Sequence, residues 1–228
     1  MRKFLLLTIV AGLVLVTAGY GQISEGGVPR QVTGLKSARQ LVKVMPPVDN
    51  LQLLFESQQE ERSSPELKPF RFAHPFEVNF TPSADGQWQQ SADGWWVWQL
   101  QIRSAGALSL NLLFERCHLP QQARLFLFTP GQQEILGAFT ANTIQPSGIF
   151  SVSPLPGDEL VVQYELPEQP ASAPDFVITR VNHDFIGILK AEVRRPLGKI
   201  AGACNADINC QVGNPWRDVQ NSVCRLMV

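Results

Sequence analysis

The sequence predicts an all-β protein, an antiparallel β-sandwich with a jelly-roll-like arrangement of its strands. From residue 76 onwards, short segments alternate apolar and polar residues with a period of two, as half-buried strands do. Turn-forming residues close these segments, and the 17 glycines and 17 prolines lie mostly between apolar runs. A hydrophobic content of 44% with 17% charged residues fits a chain that buries a core.

The clearest strand covers residues 96–102. Trp96 and Trp98 share one face of it with two aliphatic residues, so we expect both tryptophans in the core. The same reasoning predicts further strands over residues 108–114, 125–128, 135–139, 149–152, 160–164 and 176–181. The predicted sandwich therefore spans residues 76–189.

The N-terminus has the layout of a secretory signal peptide over residues 1–22. Arg2 and Lys3 precede an apolar run over residues 4–16, and small residues follow it up to a predicted cleavage site next to Gln22. The run is short for a membrane span, which needs about 20 apolar residues. A membrane anchor or a lipoprotein signal is the alternative. We therefore expect a secreted, periplasmic or extracellular protein without a membrane anchor, in which residues 23–75 form an irregular arm before the sandwich.

Charge and cysteine content restrict the possible partners. The formal net charge of −1 gives no electrostatic attraction for nucleic acid. The four cysteines are Cys117, Cys204, Cys210 and Cys224, and export into an oxidising compartment predicts that they are halves of disulfides. No Cys-x-x-Cys or histidine-rich spacing indicates zinc, so we expect no metal and no cofactor.

The segment over residues 190–199 is basic and interrupted by proline and glycine, which suits a linker open to a protease that cuts after lysine or arginine. Residues 202–210 follow it and read Gly-Ala-Cys-Asn-Ala-Asp-Ile-Asn-Cys, with Trp216 soon after. This sequence resembles the start of the mature domain in secreted lysyl endopeptidase-like proteases, which have the trypsin fold. Sequences similar to those of the pro-region of such precursors also occur at residues 94–98, 104–107, 109–112 and 155–158.

The resemblance implies a processing site and a missing active site. A cut after Lys199 would free Ile200 as the first residue of the mature domain, with Arg195 as the second candidate for the cut. In the family, the cysteines that match Cys204 and Cys210 bond to cysteines further downstream. The family's Thr-Ala-x-His-Cys and Gly-x-Ser-Gly blocks, which carry the catalytic histidine and serine, do not occur here. We therefore expect no catalytic residue in this chain, and residues 200–228 as the truncated start of a protease domain.

These observations predict the pro-region of a secreted trypsin-like serine endopeptidase precursor, whose partner is the protease catalytic domain. The pro-region would keep the enzyme latent and assist its folding. The alternative is a free-standing secreted module that binds a carbohydrate or a surface protein, with Trp88 in a loop and Trp95 on the outer side of its strand as an aromatic platform. A decayed gene product without function is a third reading. Cys117 and His118 are neighbours on a strand and point to opposite faces, which does not suit a thiol nucleophile with its base.

Overall fold

Two β-sheets pack face to face around a shared core in the computed structural model, which describes residues 24–32, 42–63, 70–170 and 174–190. Within these residues, helix α1 (Asn50–Ser63) accompanies the sheets. The strands in chain order are β1 Val42–Val44, β2 Ala73–Phe80, β3 Gln87–Gln90, β4 Trp96–Arg103, β5 Ser109–Glu115, β6 Arg124–Phe128, β7 Ile135–Phe139, β8 Phe150–Ser151, β9 Leu155–Pro156, β10 Glu159–Leu166 and β11 Val177–Asp184. The predicted all-β sandwich is confirmed.

The six-stranded sheet has the order β1-β4-β10-β6-β7, with β3 also paired to β4. The five-stranded sheet has the order β2-β11-β5-β8, with β9 also paired to β5. Neighbouring strands are antiparallel except β1, which runs parallel to β4 through the pairs Val42 with Gln101 and Val44 with Arg103. Strand β10 lies between β4 and β6 and is therefore central in its sheet.

The core fills the space between the inner faces of the two sheets. In β4, Trp98, Leu100 and Ile102 are completely buried, as the alternation predicts. The facing side chains of β5 and β11 complete the cluster, which includes Phe114. Burying one large apolar side chain contributes roughly 1.5–3 kcal/mol, so this row is a major source of stability. Trp96 differs from its prediction. It stands at the first position of β4, is only half-buried and lies outside the main cluster.

Trp88 corrects a second expectation, because it lies in β3 and not in a loop. Its partner in the ladder is Trp98, and its ring meets Tyr164 edge to face at 6.1 Å. The turn before β3 needs a glycine: Gly86 has φ +72°, and a Cβ there would lie 2.6 Å from the Trp98 ring. Trp98 Nε1 also donates to Asp85 O at 2.8 Å. The turn thus packs directly on the core tryptophan.

The N-terminal part of the chain is more regular than the irregular arm predicted from the sequence. Asp49 caps α1, since its carboxylate accepts from the backbone N–H groups of Leu51 and Gln52 at 2.9 and 3.2 Å. Asn50 fastens the helix to the sandwich, because its Nδ2 donates to Gly106 O at 2.8 Å. The helix is polar along most of its length and has no strong apolar stripe. The cap and the hydrogen bond from Asn50 to Gly106 therefore help to hold it in place.

Residues 24–32 lie on the outer face of the six-stranded sheet, and we call them the strap. Glu25 N donates to Ala138 O at 2.9 Å, and Ala138 N donates to Gly26 O at 3.0 Å, so the strap meets the sheet at β7. Further along, the Arg30 guanidinium reaches the central strand β10. The predicted signal peptide, residues 191–199 of the basic linker and the predicted protease stub lie outside the described residues.

Candidate functional site

An open groove of about 640 Å³ lies on the outer face of the five-stranded sheet. Two cross-strand rows form its floor. Asn182 of β11 stands between Pro75 and Asn111, and Arg180 stands between Glu77 and Leu113. These residues face outward because the neighbouring positions on β5 and β11 point into the core. A volume of this size is within the usual range for small-molecule sites.

Aromatic residues from the segment before β2 form one wall of the groove. Phe70 and Phe72 line it on either side of Arg71, whose guanidinium pairs with Glu60 of α1 at 3.0 Å. On the floor, Arg180 Nε pairs with Glu77 Oε1 at 2.8 Å. Each of the two arginines that line the groove therefore has a carboxylate partner.

Asn111, on the floor of the groove, carries a buried oxygen that lacks a donor. Its Oδ1 has no hydrogen-bond partner in the described part of the chain. A buried acceptor without a donor costs free energy, of the order of 1–3 kcal/mol. Beside it, Phe70, Phe72 and Leu113 line the groove with apolar surface, which can pack against the face of a sugar or the side chains of a peptide.

A second opening of about 550 Å³ lies at one end of the sandwich, between the loop over residues 118–122 and residues 166–175. Tyr164 reaches this opening from the core, and its hydroxyl has no hydrogen-bond partner among the described residues. Burial raises the pKa of Tyr164 above its ordinary value, and the nearby Cys117 adds to this. The phenol is therefore a neutral donor at physiological pH.

A buried chain of hydrogen bonds joins β11, the residue after β4 and the start of α1, and it resembles a catalytic triad only in composition. His183 Nδ1 lies 2.7 Å from Ser104 Oγ, and His183 Nε2 lies 2.8 Å from Asn50 Oδ1. Because Asn50 Nδ2 is held by Gly106 O, Oδ1 accepts from Nε2–H, and Ser104 therefore donates to Nδ1. Ser104 and His183 are fully buried, so no substrate can reach the hydroxyl. The array joins α1 to the sandwich.

The sequence-predicted tryptophan platform is not brought together as one surface. Trp88 lies on the core side of β3, whereas Trp95 lies outside, below Arg30, with the guanidinium carbon 3.5 Å from the ring centroid. The groove and the strap contacts were missed because their residues come together from distant parts of the sequence. One local signal existed: Gln163 and Glu165 alternate with apolar residues in β10, which indicates a polar outer face.

The other predicted residues have varied outcomes. Cys117 is a free thiol, a correction to the expectation of a disulfide half, and burial raises its pKa to about 12, so it is unreactive. His118 is exposed beside it. Lys199, Ile200, Cys204 and Cys210 lie outside the described residues.

No group of side chains in the described part of the chain is arranged to hold a metal ion. None of the helices that the structure describes is long and apolar enough to cross a membrane. No protein-family model matches the chain, and no solved structure matches it.

Proposed function

We propose that this chain carries the pro-region of a secreted trypsin-like serine endopeptidase precursor. The observation that carries the proposal is the order of its parts: the sandwich ends at β11, and the basic segment with Lys199 and the Cys204–Cys210 motif follows it. A processing linker must leave a folded domain intact on one side when it is cut. In the described part of the chain, the strands of the sandwich lie before residue 190, which supports this arrangement.

Asp184 supports the proposal because it fixes the place where the chain leaves the sandwich. Its carboxylate accepts from the backbone N–H groups of Ile186, Gly187 and Ile188 at 2.7–3.0 Å, and from Ser109 Oγ at 2.6 Å. Four hydrogen bonds to one buried carboxylate make a firm anchor. Strain or cleavage in the basic segment beyond it would therefore not spread into β11.

Cleavage of the purified full chain by a lysine-specific protease tests the processing step. We expect an early cut after Lys199, with N-terminal sequencing of the small product starting at Ile200, and a sandwich that remains folded by circular dichroism. The matched control is Lys199→Gln, in which this product should disappear, whereas Arg195→Gln should leave it unchanged. Early cuts inside residues 73–190 would contradict the proposal.

Binding to a catalytic domain tests the pro-region role itself. The probe is a lysyl endopeptidase-like catalytic domain whose nucleophilic serine is replaced by alanine, so that it cannot digest the chain. We expect a one-to-one complex by native mass spectrometry and a higher refolding yield of the active domain when this chain is added. A subtilisin-fold protease serves as the control. No complex and an unchanged yield would rule the role out.

The groove favours a second function, a secreted module that binds a saccharide. Its support is the aromatic wall of Phe70 and Phe72 beside the polar floor residues Asn111 and Asn182. Titration with a panel of neutral oligosaccharides tests it. Asn111→Ala should abolish binding, and Asn79→Ala, an exposed residue of β2, should not. Absence of binding across the panel would remove this candidate.

A further inference from the structure

The strap is attached to the sheet at two places. Near its start, Glu25 and Gly26 exchange backbone hydrogen bonds with Ala138 of β7, and Glu25 accepts a hydrogen bond from Thr140. Most of residues 24–32 are exposed, but Pro29 is buried and Arg30 is half-buried. At this second place the strap contacts the sheet as a bound peptide does, because peptide recognition concentrates its contacts in a few anchor residues.

Arg30 forms four hydrogen bonds with residues of the sheet and of the turn before β4. Its backbone N–H donates to Glu165 Oε1 at 2.7 Å, and its carbonyl accepts from Gln163 Nε2 at 3.0 Å. Its guanidinium donates from Nη1 to Glu165 Oε2 at 2.7 Å and from Nε to Asp93 Oδ2 at 2.9 Å. The same guanidinium lies over the Trp95 ring at 3.5 Å. Asp93, Trp95, Gln163 and Glu165 together form what we call the arginine clamp.

The clamp is arranged by contacts among the sheet residues themselves. Gln99 Nε2 donates to Gln163 Oε1 at 2.6 Å, and Gln163 Nε2 donates to Glu165 Oε1 at 2.7 Å, so the amide and the carboxylate hold each other. In the turn before β4, Ser91 Oγ donates to Asp93. Ser91 also holds the start of β4, because Trp95 N donates to its Oγ at 3.1 Å. None of these contacts involves the strap. The clamp is therefore preorganised for its ligand.

We propose that the arginine clamp is a recognition site for a Pro-Arg segment of a partner polypeptide, which Pro29 and Arg30 occupy within the chain itself. Charge complementarity supports the ligand class, since two carboxylates face one guanidinium. The planar guanidinium can donate to two carboxylates and stack on the Trp95 ring at the same time. A lysine ammonium group lacks this planar geometry. The inference stands independently of the proposed function.

Competition with the strap would regulate access to the clamp. A ligand that belongs to the same chain as its site acts at a high effective concentration, because its binding is intramolecular. A partner peptide therefore binds well only when the strap is displaced or its arginine is weakened. The clamp is closed to weak ligands and open to a partner that offers additional contacts.

The test uses the full chain with Arg30→Lys, in which a cation remains beside Glu165, and with Arg30→Ala. The probe is the capped peptide Gly-Gly-Val-Pro-Arg-Gln-Val, which copies residues 26–32. By isothermal titration calorimetry we expect the peptide to bind both variants, and to bind the wild type at least tenfold more weakly because the strap competes. Peptides with lysine or alanine at the arginine position should bind both variants at least tenfold more weakly.

Two further variants separate recognition from simple folding support. In the Arg30→Lys background, Trp95→Leu and Asp93→Asn should each weaken peptide binding about tenfold, whereas Asp175→Asn, at an exposed ion pair elsewhere, should not change it. If Arg30→Ala does not fold alone, the peptide should restore its cooperative unfolding transition. No binding to Arg30→Lys at 1 mM peptide, or equal binding of the alanine peptide, would show that Arg30 is an internal anchor only.

Discussion

Two buried side-chain groups on the outer faces of the two sheets differ in their hydrogen bonding. On the six-stranded sheet, Glu165 lies completely buried under the strap, and both of its carboxylate oxygens accept hydrogen bonds. On the five-stranded sheet, Asn111 Oδ1 is buried on the floor of the open groove and has no donor among the described residues. The burial of the Glu165 carboxylate is therefore compensated by its partners, whereas the burial of the Asn111 oxygen costs free energy.

Removal of the Arg30 guanidinium from the strap should have the largest effect on stability. Arg30→Ala leaves the Glu165 carboxylate without its partner under the strap, and removal of one member of a buried ion pair costs about 3–5 kcal/mol. We expect a loss of that size in the free energy of unfolding, measured by urea titration.

Arg116→Ala is the matched control for this substitution. Its partner Asp175 is 3.6 Å away, and both side chains are more than half exposed. A pair of this kind contributes about 0–1 kcal/mol, so the control should change stability little. Equal losses in the two variants would mean that the strap does not bury the Glu165 carboxylate in solution.

Asn50→Leu tests the buried hydrogen bonds around His183, where the polar atoms are paired. The substitution removes the hydrogen bonds of Asn50 to Gly106 and His183 and leaves the Nε2–H of His183 buried without an acceptor. We expect a loss of about 1–3 kcal/mol in the free energy of unfolding. Hydrogen exchange should rise in α1 more than in β10, because Asn50 joins the helix to the sandwich.

Asn111→Leu tests the open face of the five-stranded sheet and should act in the opposite direction. It replaces an unsatisfied acceptor by an apolar side chain of similar size, so we expect stability to stay the same or to increase by about 1 kcal/mol. The pair Asn50→Leu and Asn111→Leu thus compares one chemical change at a satisfied and an unsatisfied asparagine. A loss of 2 kcal/mol in Asn111→Leu would show that its oxygen has a partner in solution.

The local sequence pattern was enough to predict the sandwich. It was not enough to predict the contacts on the outer face of either sheet. The strands β4, β5 and β10 follow from alternation, because burial on one side imposes a period of two, and β6 and β7 follow from short apolar runs between turn residues. By contrast, Arg30 and Glu165 are 135 residues apart in the sequence. No periodicity links them, and the position of the strap depends on which strand becomes central in the sheet.

The helix and β3 were missed for related reasons. Helix α1 lacks a strong apolar stripe, so it depends on the cap at Asp49 and on the tie between Asn50 and His183. Strand β3 is short and rich in glutamine, and only its pairing with β4 defines it. In both cases tertiary contacts override a weak local preference.

Acid should weaken the buried hydrogen bonds around His183, whereas the Asp93 carboxylate of the clamp should stay ionised. Burial lowers the pKa of His183, His74 lowers it further, and Asp184 and Asp158 partly oppose this. In the unfolded chain a histidine has a pKa of about 6.5. Below that value the unfolded state binds a proton that the folded state resists, so stability is lost as the pH falls through this range. In Asp93, the hydrogen bond from Ser91 and then that from Arg30 hold the pKa below its ordinary value.

His183→Gln checks this difference, because it removes the titrating group while retaining a side chain that can form hydrogen bonds. We expect the free energy of unfolding of the wild type to fall more steeply between pH 7.5 and pH 5 than that of the variant. Hydrogen exchange, corrected for its intrinsic pH dependence, should increase at pH 5 in β11 and α1 and change less in β10. Parallel pH curves for the two proteins would mean that His183 takes up its proton equally in the folded and unfolded states, and that the two sheets do not differ in their response to acid.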